Sequence, residues 1–128
     1  MKKKTKKLVT GLVIVVVIIA AFSLFLLKHT SKPGKYDTFA QCLKTQGVIF
    51  YGAFWCPHCQ NQKALFGSSV KYLPYTECST PDGQGQLVLC TQKGVTGYPT
   101  WVFKDGSRLT GETPLSALAS KSGCVLPQ

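Results

Sequence analysis

Apolar positions crowd the start of the chain, and a run of 20 uncharged residues extends from Leu8 to Leu27, broken only by Thr10, Gly11 and Ser23. At about 1.5 Å rise per residue a helix of that length crosses the ~30 Å hydrocarbon core of a bilayer. A buried core helix would need cover on every side, and so short a chain has nothing to supply it. The rival is a cleaved signal peptide, whose apolar part is about 7–15 residues long and ends at a small-x-small site. This run is longer and ends in Phe25-Leu26-Leu27-Lys28, with Ala20 and Ala21 as the weak alternative cut. The pattern predicts a basic head over 1–7, an uncleaved signal-anchor helix over 8–27, a linker over 28–35 and a folded domain over 36–128.

Beyond the linker the periods shorten. Asp37 or Thr38 is a candidate cap for a helix carrying Phe39, Ala40, Cys42 and Leu43 and ending near Gly47. Val48 to Phe54 is a continuous apolar run and predicts a buried strand. Pro57 suits the first turn of the helix that follows, where no N–H is needed. Further strands are predicted over Pro74–Cys78, Thr100–Phe103 and Arg108–Thr110, with a short helix over Leu87–Lys93. Asp105-Gly106 makes the last two strands a hairpin. Thr113-Pro114 opens a final helix that buries Leu115 and Leu118 and stops at Gly123. The order predicts an α/β domain, a mixed sheet of about four strands flanked by helices.

Composition changes this picture in two respects. The net charge is +10, but Lys2, Lys3, Lys4, Lys6 and Lys7 all lie in the head. From His29 onward eight lysines and one arginine face five acids, so the domain has no basic stripe of the kind nucleic acid requires. Lysines ahead of the apolar run predict a cytoplasmic N-terminus and an extracytoplasmic domain, anchored once in the plasma (inner) membrane and periplasmic in a bacterium. Six cysteines accord with an oxidising compartment.

The chemistry sits in Trp55-Cys56-Pro57-His58-Cys59, where a strand meets a helix. Unpaired backbone N–H groups and the macrodipole at a helix start favour an anion, and thiolate is the reactive form of cysteine. Cys56 is therefore the candidate nucleophile and Cys59 the resolving partner in a redox-active dithiol–disulfide pair. His58 is a candidate for placing partial positive charge near the Cys56 sulfur. A metal site from Cys56, Cys59 and His58 would lack the fourth ligand of a closed zinc centre, so no metal or other cofactor is expected.

The aromatic strand entering Trp55-Cys56-Pro57-His58-Cys59, the downstream Gly97-Tyr98-Pro99-Thr100 before an apolar strand, and Asp105-Gly106 together resemble the thioredoxin fold over roughly 36–128. More narrowly, Tyr51 to Cys59, Gln62-Lys63, Phe66-Gly67, Tyr75–Ser79, Gly97–Trp101 and Ser122-Gly123-Cys124 resemble the thioredoxin-like domain fused to bacterial and plant homologues of vitamin K epoxide reductase. In that family the domain carries disulfides between a quinone-linked membrane enzyme and secreted proteins. This chain has one apolar span, so a reductase partner of that kind would be a separate protein. The resemblance implies that Pro99 is a cis-proline against the dithiol and that Trp55 and Tyr98 help line a substrate groove. The Pro57-His58 pair is also that of DsbA-like oxidants, which implies an oxidising poise. Thioredoxins acting as reductants carry a buried acid six residues before the first cysteine; here that position is Phe50, so deprotonation of Cys59 would fall to water, Glu77 or another group.

Six cysteines permit many pairings and sequence leaves them open. The resemblance implies Cys78–Cys90 as a structural disulfide, leaving Cys42 to Cys124; a second redox pair feeding Cys56–Cys59 is the functional alternative. His29 reads as a membrane-interface residue, Trp101 as sheet packing, and Gln62 and Lys63 as a solvated helix face. The leading expectation is a membrane-anchored thiol–disulfide oxidoreductase that forms disulfides in secreted proteins. The alternatives are an extracytoplasmic reductase fed by a transmembrane electron donor, and a non-catalytic binding domain.

Overall fold

The computed structural model describes residues 2–28 and 32–128. His29, expected at the membrane interface, and part of the linker lie outside the described residues. The chain divides into two units, Met1–Lys32 and Pro33–Gln128.

The first unit is a single helix, α1 (Lys2–Lys28). Within it Val9–Leu26 is, among the described residues, the one stretch long and apolar enough to cross a membrane. The helix runs on through the lysine head, which the charge pattern had marked off as a separate segment. Charge does not break a helix: lysine is a good helix former.

The second unit runs α2 (Asp37–Thr45), β1 (Ile49–Gly52), α3 (Pro57–Ala64), a 3-10 turn (Gly67–Tyr72), β2 (Tyr75–Glu77), α4 (Val88–Gln92), β3 (Thr100–Val102), β4 (Arg108–Thr110) and α5 (Leu115–Ser122). The four strands form one mixed sheet in the order β2-β1-β3-β4. β1 is parallel to β2 and antiparallel to β3, and β3 is antiparallel to β4. β1 and β3 are thus the central strands, and their alternation supplies two cores. On one face Phe50 stacks on Trp101 with ring centroids 4.4 Å apart, packed with Phe39 and Leu43 of α2, Phe66, and Leu118 of α5. On the other, Tyr51 packs with Cys78, Cys90 and Val95, and partly buried Ile49 and Val102 complete the cluster. Trp101 is fully buried, as sheet packing requires.

Two caps differ from expectation. Neither Asp37 nor Thr38 caps α2; Tyr36 holds the N-cap position without a side-chain bond. The Asp37 carboxylate instead accepts the Gly34 N–H at 2.9 Å, closing the turn before the helix. Pro114, not Thr113, is the residue preceding the first turn of α5. Thr113 is buried because its backbone is bonded to α3, as described below.

Candidate active site

The first free backbone groups of α3 set the site. Cys56 is the N-cap residue of α3, in extended conformation, and Pro57 occupies the first turn, where its missing N–H costs no hydrogen bond. Cys59 follows one turn later. Both thiols are free, and both are buried: Cys56 is 5% and Cys59 0% exposed. The accessible sulfur is thus the one at the helix start, while its partner lies beneath it.

Beside the dithiol the Tyr98–Pro99 peptide is cis. The Cys56 thiol points at the Tyr98 carbonyl at 3.8 Å. Tyr98 also meets Trp55 edge-on, with centroids 6.1 Å apart, and the Trp55 indole donates to Ser79 Oγ at 2.8 Å. Trp55, Tyr98, Val95, Thr96 and the loop 83–86 line an open cavity of about 300 Å³ next to these residues. Trp55, Tyr98, Pro99 and Cys56 are therefore neighbours, although up to 44 positions separate them in the chain.

His58 does not line this cavity. Its ring is 65% exposed and Nδ1 lies 2.7 Å from Glu112 Oε1, which also accepts from Asn61 Nδ2 at 3.0 Å. These bonds, from Asn61 first and then His58, hold the Glu112 carboxyl below the usual glutamate range. Glu112 was not singled out in the sequence, because nothing near it in the chain marks it as the partner of a residue 54 positions away.

Beneath the dithiol the structure assembles a second group. The Cβ of any larger residue at Gly52 would lie 2.9 Å from Cys59 Sγ and 2.8 Å from the Tyr75 ring, so sulfur and ring share the space that this glycine leaves. The Tyr75 hydroxyl donates to Glu77 Oε2 at 2.7 Å. The other carboxylate oxygen, Oε1, accepts the N–H groups of Phe54, Cys78 and Ser79 at 3.2, 3.1 and 2.9 Å. Burial alone would raise the Glu77 pKa, but these bonds outweigh it and hold the group below its ordinary value. Glu77, one candidate base for Cys59, is a backbone staple and a weak base. Burial pushes the Cys59 thiol itself up to about 12.

The helix face read as solvated is not so. Gln62 is fully buried and Lys63 half-buried, its ammonium 3.5 Å from the centre of the Tyr75 ring. The period of α3 alone gave no reason to bury either, because both partners come from other elements.

The remaining cysteines are bonded, Cys42 to Cys124 and Cys78 to Cys90. The first ties α2 to the tail after α5; the second ties the end of β2 to α4. Among the described residues no group of three or more His, Cys, Asp or Glu side chains is arranged to hold a metal ion.

A strand that hands a buried dithiol to a helix start, facing a cis X-Pro peptide, is an arrangement suited to thiol–disulfide exchange. The chain is 43% identical over 94 residues to the thiol-disulfide oxidoreductase LTO1 of Arabidopsis thaliana, an alignment that takes in 70% of this chain and 24% of that protein. The chain therefore spans about a quarter of that protein's length. No protein-family model matches it. The likeness supports an oxidoreductase.

Proposed function

We propose that the protein is a membrane-anchored thiol–disulfide oxidoreductase of thioredoxin-like fold, working through Cys56 and Cys59. The observation that carries this reading is the free dithiol at the start of α3, with its outer sulfur directed at the Tyr98–Pro99 peptide. In the oxidised protein a client thiolate attacks Cys56 Sγ. The Cys56–Cys59 bond breaks, its electron pair leaves with Cys59 as thiolate, and that thiolate then takes a proton. A second client thiolate then attacks the client sulfur of the mixed disulfide and expels Cys56 as thiolate. The client loses two electrons and two protons and gains a disulfide; Cys56 and Cys59 are left reduced.

The clients are secreted proteins, met on the extracytoplasmic side of the inner membrane, with α1 as single-pass anchor and the lysine head in the cytoplasm. The apolar length of α1 and the lysines preceding it support that orientation. A separate quinone-linked membrane enzyme, similar to vitamin K epoxide reductase, reoxidises the dithiol. The two further disulfides, Cys42–Cys124 and Cys78–Cys90, support an oxidising surrounding and serve as structural bonds. Trp55, Tyr98 and Pro99 line the client groove.

The test is reactivation of scrambled ribonuclease, together with reduction of insulin, by the full chain and its Cys56→Ala variant. Wild type is expected to turn over and the variant to lose nearly all activity. Equal behaviour of the two would overturn the reading. The reduction potential then gives direction: a value near that of cytosolic thioredoxin, about −270 mV, would make the protein a reductase, and a clearly higher one an oxidant.

A further inference from the structure

The geometry points to Lys63, held in place by the face of the Tyr75 ring, as the cation that acts on the buried Cys59 sulfur when that sulfur forms or leaves as a thiolate. This deepens the functional reading above and rests on it.

The argument begins from a difficulty in the site. Cys59 is fully buried, and every exchange cycle requires its sulfur to carry negative charge, as leaving group in one direction and as nucleophile in the other. A thiolate without a countercharge in a dry site is costly. The position where reductant thioredoxins carry a buried acid is Phe50, which is stacked against Trp101. Glu77 has both carboxylate oxygens committed, to three backbone N–H groups and the Tyr75 hydroxyl.

Lys63 lies four residues after Cys59 on α3, so the two side chains leave the same face of the helix. The lysine is half-buried, with its ammonium 3.5 Å from the centroid of the Tyr75 ring. Such a contact fixes a cation that would otherwise sample many rotamers. The Cε2 edge of that ring and Cys59 Sγ both lie against Gly52. Gly52 thus leaves room for sulfur and ring together, and the ammonium rests on that ring.

The other charged or titratable groups near Cys59 do not replace Lys63. On α3, His58 is engaged with Glu112 at the surface. On β2, Glu77 is an anion and Tyr75 a neutral phenol that donates to it, so neither supplies positive charge. Tyr98, beside Cys56, is neutral. Burial is the main cause that raises the Cys59 pKa, and Cys56 adds to it; a backbone hydrogen bond with Ala53 acts in the opposite sense, and Lys63, the one cation among these groups, acts with it.

The test isolates the step made by Cys59. The reduced full chain, in detergent micelles, is mixed with 5,5′-dithiobis(2-nitrobenzoate). Cys56 attacks one probe sulfur, releases one thionitrobenzoate and keeps the other in a mixed disulfide. Cys59, its proton passed to water, then attacks Cys56 Sγ and expels the second thionitrobenzoate. The probe is the oxidant and takes up the two electrons. The second release reports Cys59, and the first reports Cys56 and proper folding.

Below its pKa a thiol reacts in proportion to its thiolate fraction, and a tenfold loss corresponds to one pKa unit. Lys63→Met is expected to slow the second release about tenfold from about pH 6 to about pH 9, with the first release changed less than about twofold. Lys63→Arg keeps the charge and is expected to stay within about threefold of wild type. Tyr75→Leu removes the ring that holds the ammonium and should match Lys63→Met. Tyr75→Phe retains the ring and should stay near wild type.

A wild-type second release in Lys63→Met would overturn the proposal, as would equal slowing in Lys63→Arg. Slowing in Tyr75→Phe as large as in Tyr75→Leu would give the role to the hydroxyl and overturn it as well. A wild-type protein that makes no second release fails at an earlier point and rejects the functional reading itself.

Discussion

The carboxamide of Gln62 grips the backbone of Thr113 at two points: Oε1 accepts the Thr113 N–H at 2.6 Å and Nε2 donates to the Thr113 carbonyl at 3.0 Å. The pair is buried and joins α3, which carries the dithiol, to the segment entering α5. Gln62→Leu fills similar space but orphans a buried N–H and a buried C=O, each costing about 1–3 kcal/mol. We expect the variant to be destabilised by roughly 2–5 kcal/mol, read as a lower urea midpoint at unchanged slope.

Gly52 has a packing role. An alanine Cβ there would meet Cys59 Sγ at 2.9 Å and Tyr75 at 2.8 Å. The Tyr75 ring would have to shift, and overpacking of this kind costs about 1–3 kcal/mol. Gly52→Ala should unfold at lower urea concentration and also slow exchange through Cys59, whereas Gly67→Ala, with open space at its Cβ but a φ of +53°, should affect stability alone. Comparing exchange rates and urea midpoints of the two variants checks this.

Much of this fold was legible in the sequence. Strand positions Val48–Phe54, Thr100–Phe103 and Arg108–Thr110 each contain an observed strand, because apolar runs bounded by Gly, Pro and Asp-Gly report local chain geometry. The start of α3 was legible for the same reason, Pro57 being a local signal. The partners of the site were not. Gln62, Lys63 and Glu112 look like surface residues in their own segments and acquire roles only from Thr113, Tyr75 and His58, each on another element. The capping residues failed likewise: Asp37 was a plausible cap on propensity, but the Gly34 N–H competes for it.

The two disulfides close loops of different length, with sequence separations of 82 for Cys42–Cys124 and 12 for Cys78–Cys90. On the loop-entropy account their removal costs roughly 4.5 and roughly 3 kcal/mol. Cys42→Ser/Cys124→Ser should therefore lower the urea midpoint more than Cys78→Ser/Cys90→Ser. The second pair closes a loop that includes residues 83–86 of the cavity beside Trp55. Its removal should impair exchange with protein clients more than with a small disulfide, measured as separate rates.

The Glu112 carboxyl, bonded by Asn61 and His58, should titrate below the ordinary glutamate value of 4.5. Carbon-13 NMR of the side-chain carboxyl reads this directly. Asn61→Ala and His58→Ala should each move the titration upward. Because the acid's folded value is depressed, its contact with α3 persists above the ordinary value and is released as pH falls through the folded one. Exchange catalysis at neutral pH should not depend on this release.

Glu77 gives the clearest acid dependence. Its carboxylate collects the N–H groups of Phe54, Cys78 and Ser79 and the Tyr75 hydroxyl, joining the end of β1 to β2 just below the dithiol. Burial opposes ionisation, yet these bonds win and lower its pKa from the ordinary 4.5. A folded value below the unfolded one means stability present above about 4.5 and lost as pH falls through the lower, folded value. Glu77→Gln keeps an acceptor for the backbone but not the charge. Its urea midpoint should lie below wild type at pH near 7, and the gap should close as both are taken toward about pH 3. A gap that stayed constant over that range would mean that the Glu77 charge contributes nothing to the fold, and that shape alone holds the end of β1 in place.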